Sequence, residues 1–138
     1  GRGRGRGEEV KMKDGEALPC RSIRVYAPEG TLFVNIAEDS HGKPVHVEMT
    51  IGKAGSLLNA WVNASARMIT VMLRHHNLSV IIEELSLITS DKMRTTPKGI
   101  TCRSGPEAVV LALLTYQCEK FKEHYNEIPL AGKAQFNG

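Results

Sequence analysis

The sequence predicts an α+β domain, a three-stranded antiparallel meander packed on one face by about three helices. Two observations carry this. Apolar residues alternate with polar ones as far as Ile51, and from Ser56 onward they recur at spacings of three and four. The two periods do not interleave, so neighbouring strands pair directly and the helices follow as a group.

The elements follow in order. Ile23 and Val25 make the first alternating run, and Leu32, Val34 and Ile36 the second, with Pro28, Glu29 and Gly30 as the turn between them. Val45, Val47, Met49 and Ile51 repeat the period of two after a turn rich in Asp39, Gly42 and Pro44. Phe33, Asn35, His46, Glu48 and Thr50 then point away from the core, a mixed face suited to solvent or to a subunit interface.

From Ser56, the residues Leu57, Leu58, Trp61, Ala64, Ser65, Met68, Ile69, Met72 and Leu73 predict a core helix of about five turns. Asn77 to Ser79 caps a shorter helix, with Val80, Ile81, Leu85 and Leu87 inward and Glu83 and Glu84 in water. Ser90 to Pro97 reads as a loop. A third helix runs from about Gly105 to Tyr125 on Val109, Val110, Leu113, Leu114, Gln117 and Phe121.

A chain of 138 residues is one domain with tails. Residues 1–20 read as a flexible Gly/Arg-rich tail or linker, 21–126 as the domain and 127–138 as a C-terminal tail. The net charge is +3, and Arg2, Arg4 and Arg6 of the opening repeat account for as many cations. Those arginines offer weak phosphate contacts to nucleic acid, without the aromatic residues that base stacking needs. Three cysteines with no Cys-x-x-Cys spacing signal neither a disulfide framework nor a zinc knuckle. No run approaches the roughly 20 apolar residues of a membrane span. The expectation is a soluble protein of the cytoplasm, with no membrane partner and no cofactor.

The run from Pro97 to Glu107 is the most informative motif. Ser104 and Glu107 form a capping box with Pro106 in the first turn, which fixes the start of the third helix. Arg94, Lys98 and Arg103 cluster around it, and a helix N-terminus offers free N–H donors and roughly half a positive charge. The corner reads either as a well-capped helix or as a phosphate site. In the second reading Arg103 and Lys98 pair phosphates, Thr101, Ser104 and the Gly105 amide add hydrogen bonds, and Arg94 closes over the ligand.

Two further features are open in the same way. Gly52 and Gly55 permit a tight strand-to-helix turn, without P-loop spacing, while Lys53 and the following amides offer a second anion corner. Arg74, His75 and His76 complement the C-terminal dipole of the core helix, or His76 contacts a base. Catalytic signals are weak. Nothing in the spacing ties a base to Cys102, and no carboxylate pair stands apart from the cap and the solvated face.

The segments Gly30–Asp39, Gly42–Pro44, Ile51–Ser56 and Leu78–Leu85 resemble the TSCPD domain, found at the C-terminal end of adenosylcobalamin-dependent ribonucleotide reductases and as free-standing proteins. The resemblance covers about residues 22–117. The family's naming motif falls on Arg103–Glu107, where Ser104, Pro106 and Glu107 keep its Ser, Pro and acid but Gly105 replaces its Cys. No thiol or metal role carries over, and the reductase machinery lies in a barrel that this chain does not contain. In length, element order and cations at the last helix, the chain is also similar to phage anti-Thoeris sponge proteins, small oligomers that sequester cyclic ADP-ribose signals and other cyclic nucleotides.

Together these readings imply a non-enzymatic homo-oligomeric module that captures a phosphorylated nucleotide-type ligand, acting in the host cytoplasm if phage-encoded. The alternative is an accessory or C-terminal interaction domain of an adenosylcobalamin-dependent ribonucleotide reductase.

Overall fold

The three alternating segments become β1 (Cys20–Ala27), β2 (Gly30–Glu38) and β3 (Pro44–Ile51) in a computed structural model, which describes residues 15, 17–52, 55–88, 90, 94–95 and 98–129. They form one antiparallel sheet in the order β1-β2-β3. Its register sets Ile23 opposite Val34 and Val25 opposite Leu32, and then Val34 opposite Met49 and Ile36 opposite Val47. Because alternate side chains share a face, these residues make one apolar layer, and Leu32, Val34, Ile36, Met49 and Ile51 are essentially inaccessible to solvent. The β2–β3 turn is built by Asp39, whose Oδ1 accepts from the amides of His41 at 2.8 Å and Lys43 at 2.9 Å. Gly42 takes the left-handed conformation, at φ +80°, that this turn needs.

Helix α1 (Leu57–Met72) starts at Ser56, whose hydroxyl accepts from the Asn59 amide at 3.1 Å. It lies along the free edge of β3 and bonds to it through side chains. Asn59 Oδ1 accepts from the Ile51 amide at 3.0 Å, and Thr70 Oγ1 accepts from the Val47 amide at 2.9 Å. The Thr70 proton has the Ala66 carbonyl at 2.9 Å and the Val47 carbonyl at 3.2 Å. An edge strand is thereby covered, which removes a template for strand addition.

This anchoring corrects the expected orientation of α1. Asn59, Ala66, Ile69 and Leu73 are buried, with Leu58, Val62 and Met72 packed beside them, whereas Leu57 (85% exposed), Trp61 (75%) and Met68 (61%) face outward. The helix is apolar on two opposite faces, and a period of three and four cannot tell which one the sheet takes. The polar groups that reach β3 decide it.

Helix α2 (Leu78–Leu85) is capped by Asn77, which accepts from the Val80 amide at 3.3 Å. Its buried residues are Leu78, Ile81 and Ile82, while the expected core residues Val80 and Leu87 are exposed. Leu87 falls outside because the helix ends at Leu85. The expected loop contains part of a two-residue ribbon, β4 (Arg94–Thr95) with β5 (Thr101–Cys102). Helix α3 (Gly105–Glu127) then crosses behind β1 and β2, and α2 packs on it. It buries Ala108, Val109, Val110, Ala112, Leu113 and Tyr116. Leu114 and Phe121, expected inside, lie outside, because the sheet-facing side is centred on Ala112 and Tyr116. The sequence-level tails at 1–20 and 127–138 fall mostly outside the described residues.

Candidate functional site

The start of α3 forms as the capping box predicts, with Ser104 Oγ accepting from the Glu107 amide at 3.1 Å. The amide expected to hold a ligand already has an anion. Gly105 N–H donates at 3.0 Å to Oε2 of Glu29, which reaches across from the β1–β2 turn. A Cβ built on Gly105 would stand 3.2 Å from that oxygen, so the glycine leaves the carboxylate its room.

Arg94 is also engaged. Its Nη1 donates to the Ala27 carbonyl at 3.1 Å, and its guanidinium lies 5.0 Å from the centre of the Tyr26 ring, which Arg24 also approaches at 5.5 Å. Thr101 Oγ1 is 3.3 Å from Thr95 Oγ1 across the ribbon, while Lys98 and Arg103 are exposed. Cys102 is buried and its thiol donates to the Ser104 carbonyl at 3.1 Å. Burial pushes that thiol's pKa up, away from the thiolate a nucleophile requires. The β4–β5 ribbon pairs Arg94 with Cys102 and Thr95 with Thr101, Arg103 directly precedes the Ser104 cap in the chain, and Glu29 occupies the Gly105 amide. Lys53 lies outside the described residues.

His76 belongs to a different place. It lines a groove of about 580 Å³ between the β2–β3 turn, the α1–α2 junction and the second half of α3. Leu73, Leu78 and Tyr116 supply buried groups on its wall, and the exposed Phe121 ring stacks on Tyr125 with centroids 6.1 Å apart. Lys43, His76, Lys120 and His124 line the same groove, as do Asn77 and Ser79 at the start of α2. Gln117 Nε2 donates to Ser79 Oγ at 3.2 Å, tying α3 to that helix start.

One wall of the groove is braced by a charged cluster. Glu38, only 5% exposed, receives the Tyr116 hydroxyl at 2.6 Å, Lys120 Nζ at 3.2 Å and Arg21 Nε at 3.3 Å, all on Oε2. Arg21 also reaches Glu123 Oε1 at 2.7 Å. Burial, and then the bond to Glu38, raises the Tyr116 pKa. The Arg21 bond lowers that of Glu123. Among the described residues, no buried side-chain nitrogen or oxygen lacks a partner.

The sequence reading missed Glu29, Lys43, Gln117, Lys120 and the Glu38 cluster. Periodicity marks Glu29, Lys43 and Lys120 as ordinary turn or solvent positions and Gln117 as part of the packed face of α3, and only chain crossing brings them together. Among the described residues, no group of three or more His, Cys, Asp or Glu is placed to hold a metal ion, and no helix is long and apolar enough to cross a membrane.

A small antiparallel sheet backed by three helices, with its last helix opened by a Ser-x-Pro-Glu cap, is the architecture to which the comparison speaks. The family model of the TSCPD domain matches residues 4–117, and the chain belongs to that family. No curated protein and no solved structure matches it.

Proposed function

We propose that this protein is a non-enzymatic, oligomeric binding module that captures a phosphorylated nucleotide-type ligand, such as a cyclic nucleotide or a cyclic ADP-ribose signal. The observation that carries the reading is the groove beside α3, where an exposed aromatic ring and an apolar wall stand next to Lys43, His76, Lys120 and His124. A base gains from stacking on Phe121, and phosphates gain from the Lys43 ammonium and from the imidazole N–H groups of His76 and His124, with Lys120 paired to Glu38 on the same wall. Asn77, Ser79 and Gln117 bring polar atoms suited to the edge of a base or a ribose. Capture needs only affinity, so a cytoplasmic protein of this kind can deplete a signalling nucleotide, as an anti-defence sponge does, with no reacting group.

The ligand class is the one the sequence suggested at Arg94, Lys98, Thr101, Arg103, Ser104 and Gly105, and the proposed place for it is the groove instead. Glu29 already meets the Gly105 amide, and Arg94 gives one N–H to the Ala27 carbonyl and lies over the Tyr26 ring. Of the expected ligand residues, His76 remains in the groove.

Calorimetry of the full chain against cyclic dinucleotides, cyclic ADP-ribose isomers and dATP tests the reading. Binding should weaken about tenfold or more in Phe121→Ala, from the loss of one stacked base, and further in Lys43→Ala. Silence across the panel refutes it.

Membership of the TSCPD family is also compatible with the alternative reading, an accessory or C-terminal interaction domain of an adenosylcobalamin-dependent ribonucleotide reductase. Co-purification with a reductase subunit, combined with no ligand binding, would select it.

A further inference from the structure

The outer face of α1 carries Leu57, Trp61, Ala64, Met68 and Val71, at successive spacings of four, three, four and three. That is a heptad seam, the pattern by which one helix packs along another. At about 100° per residue the five positions fall within an arc of about 80°, turned roughly 160° from the face formed by Ala66, Ile69 and Leu73. Leu57, Trp61, Met68 and Val71 are 85%, 75%, 61% and 50% exposed. Across its 16 residues the helix has a single charge, Arg67. A solvated helix face is polar, and a membrane-surface helix is rich in Lys and Arg, so neither water nor lipid suits this one.

We infer that a second copy of this chain covers the seam, with the two α1 helices packed antiparallel. The side chains are self-complementary in that arrangement. Trp61 of one protomer meets Val71 of the other and Met68 meets Ala64, so each layer sets a large residue against a smaller one. A parallel pair would stack Trp61 on Trp61 and Ala64 on Ala64, one layer overfilled and the next empty. In the antiparallel register Ser65 and Arg67 flank opposite sides of the seam, and the two Arg67 side chains share one flank near the two-fold, where their long stems carry the charges out to solvent. The seam and its flanking stems present on the order of 600 Å² per protomer, the lower bound for a specific interface. Dimerisation by this face leaves the groove beside α3 open, and it stands whether or not that groove binds a nucleotide.

Sedimentation equilibrium of the full chain, read together with the emission of its one tryptophan, tests the inference. The chain should be a dimer at micromolar concentration, and Trp61 emission should move to the red on dilution. Met68→Glu and Ala64→Glu, both outside the core, should each weaken association by at least about 100-fold, because an unpaired charge is buried, with the circular dichroism unchanged. Mixing Met68→Lys with Ala64→Glu should restore a heterodimer. A wild-type monomer at these concentrations overturns the proposal. So does a dimer that survives Met68→Glu, which would assign self-association to another surface such as Leu114 and Phe121.

Discussion

Removing the Tyr116 hydroxyl measures how strongly the Glu38 cluster holds the sheet to α3. Tyr116 is 2% exposed and Glu38 is 5% exposed, and the 2.6 Å bond between them joins residues 78 apart in the chain. Tyr116→Phe keeps the ring in place and deletes one oxygen, so the cavity contribution is small. What is lost is a hydrogen bond to a charged acceptor, worth about 1.5–3 kcal/mol. Arg21 Nε at 3.3 Å and Lys120 Nζ at 3.2 Å stay on the same oxygen and keep the carboxylate from being stranded. We therefore expect a loss of about 2 kcal/mol, or roughly 8 °C in Tm for a domain of this size. Urea denaturation at pH 7 should show the midpoint falling with the slope unchanged. The double variant with Glu38→Gln should lose less than the sum of the two single variants, with a coupling of about 1 kcal/mol or more. A loss under about 0.5 kcal/mol, or strict additivity, would mean that water serves Glu38 as well as the phenol does, and the reasoning would fail.

Glu29→Ala should cost about 1 kcal/mol by removing the anion at the start of α3, and should make thermal stability rise with added phosphate as the Gly105 amide becomes available. A melting temperature indifferent to phosphate would show that the corner is only a cap. Asn59→Ala should cost about 2 kcal/mol by leaving the Ile51 amide unsatisfied, with faster hydrogen exchange at that amide. Exchange unchanged from wild type would show that the bond is dispensable. Burial pushes the Asp39 carboxyl up, but the amides of Lys43 and His41 outweigh it and hold its pKa below the usual value. Its contribution should be complete above about pH 4, the unfolded value, and lost as the pH falls through the lower folded value. The stability difference between wild type and Asp39→Asn, measured from neutral to acid pH, should vanish at the acid end. A difference independent of pH would count against it.

The candidate site was legible only in its chemistry. Ser104, Pro106 and Glu107 specify the start of α3 from sequence alone, because a capping box acts within four residues. That the Gly105 amide is filled by Glu29, 76 residues away, has no local signature. His76 was visible as an imidazole at a helix end, but its neighbours Lys43, Lys120 and His124 come from two other segments. A groove depends on how three elements meet, and no spacing along one of them encodes it.

By itself, the sequence determined the α+β class, the three-strand meander, the identity of the three helices and the residues that cap them. These follow from periodicity, turn residues and caps, all short-range terms. Only the tertiary structure decided which side of α1 faces inward, for that helix is apolar on both. Asn59 and Thr70 settle the choice by bonding to the amides of Ile51 and Val47, and this leaves Leu57, Trp61 and Met68 outside. Buried backbone donors at a sheet edge must be satisfied, and that requirement outranks the pairing of one apolar stripe with another.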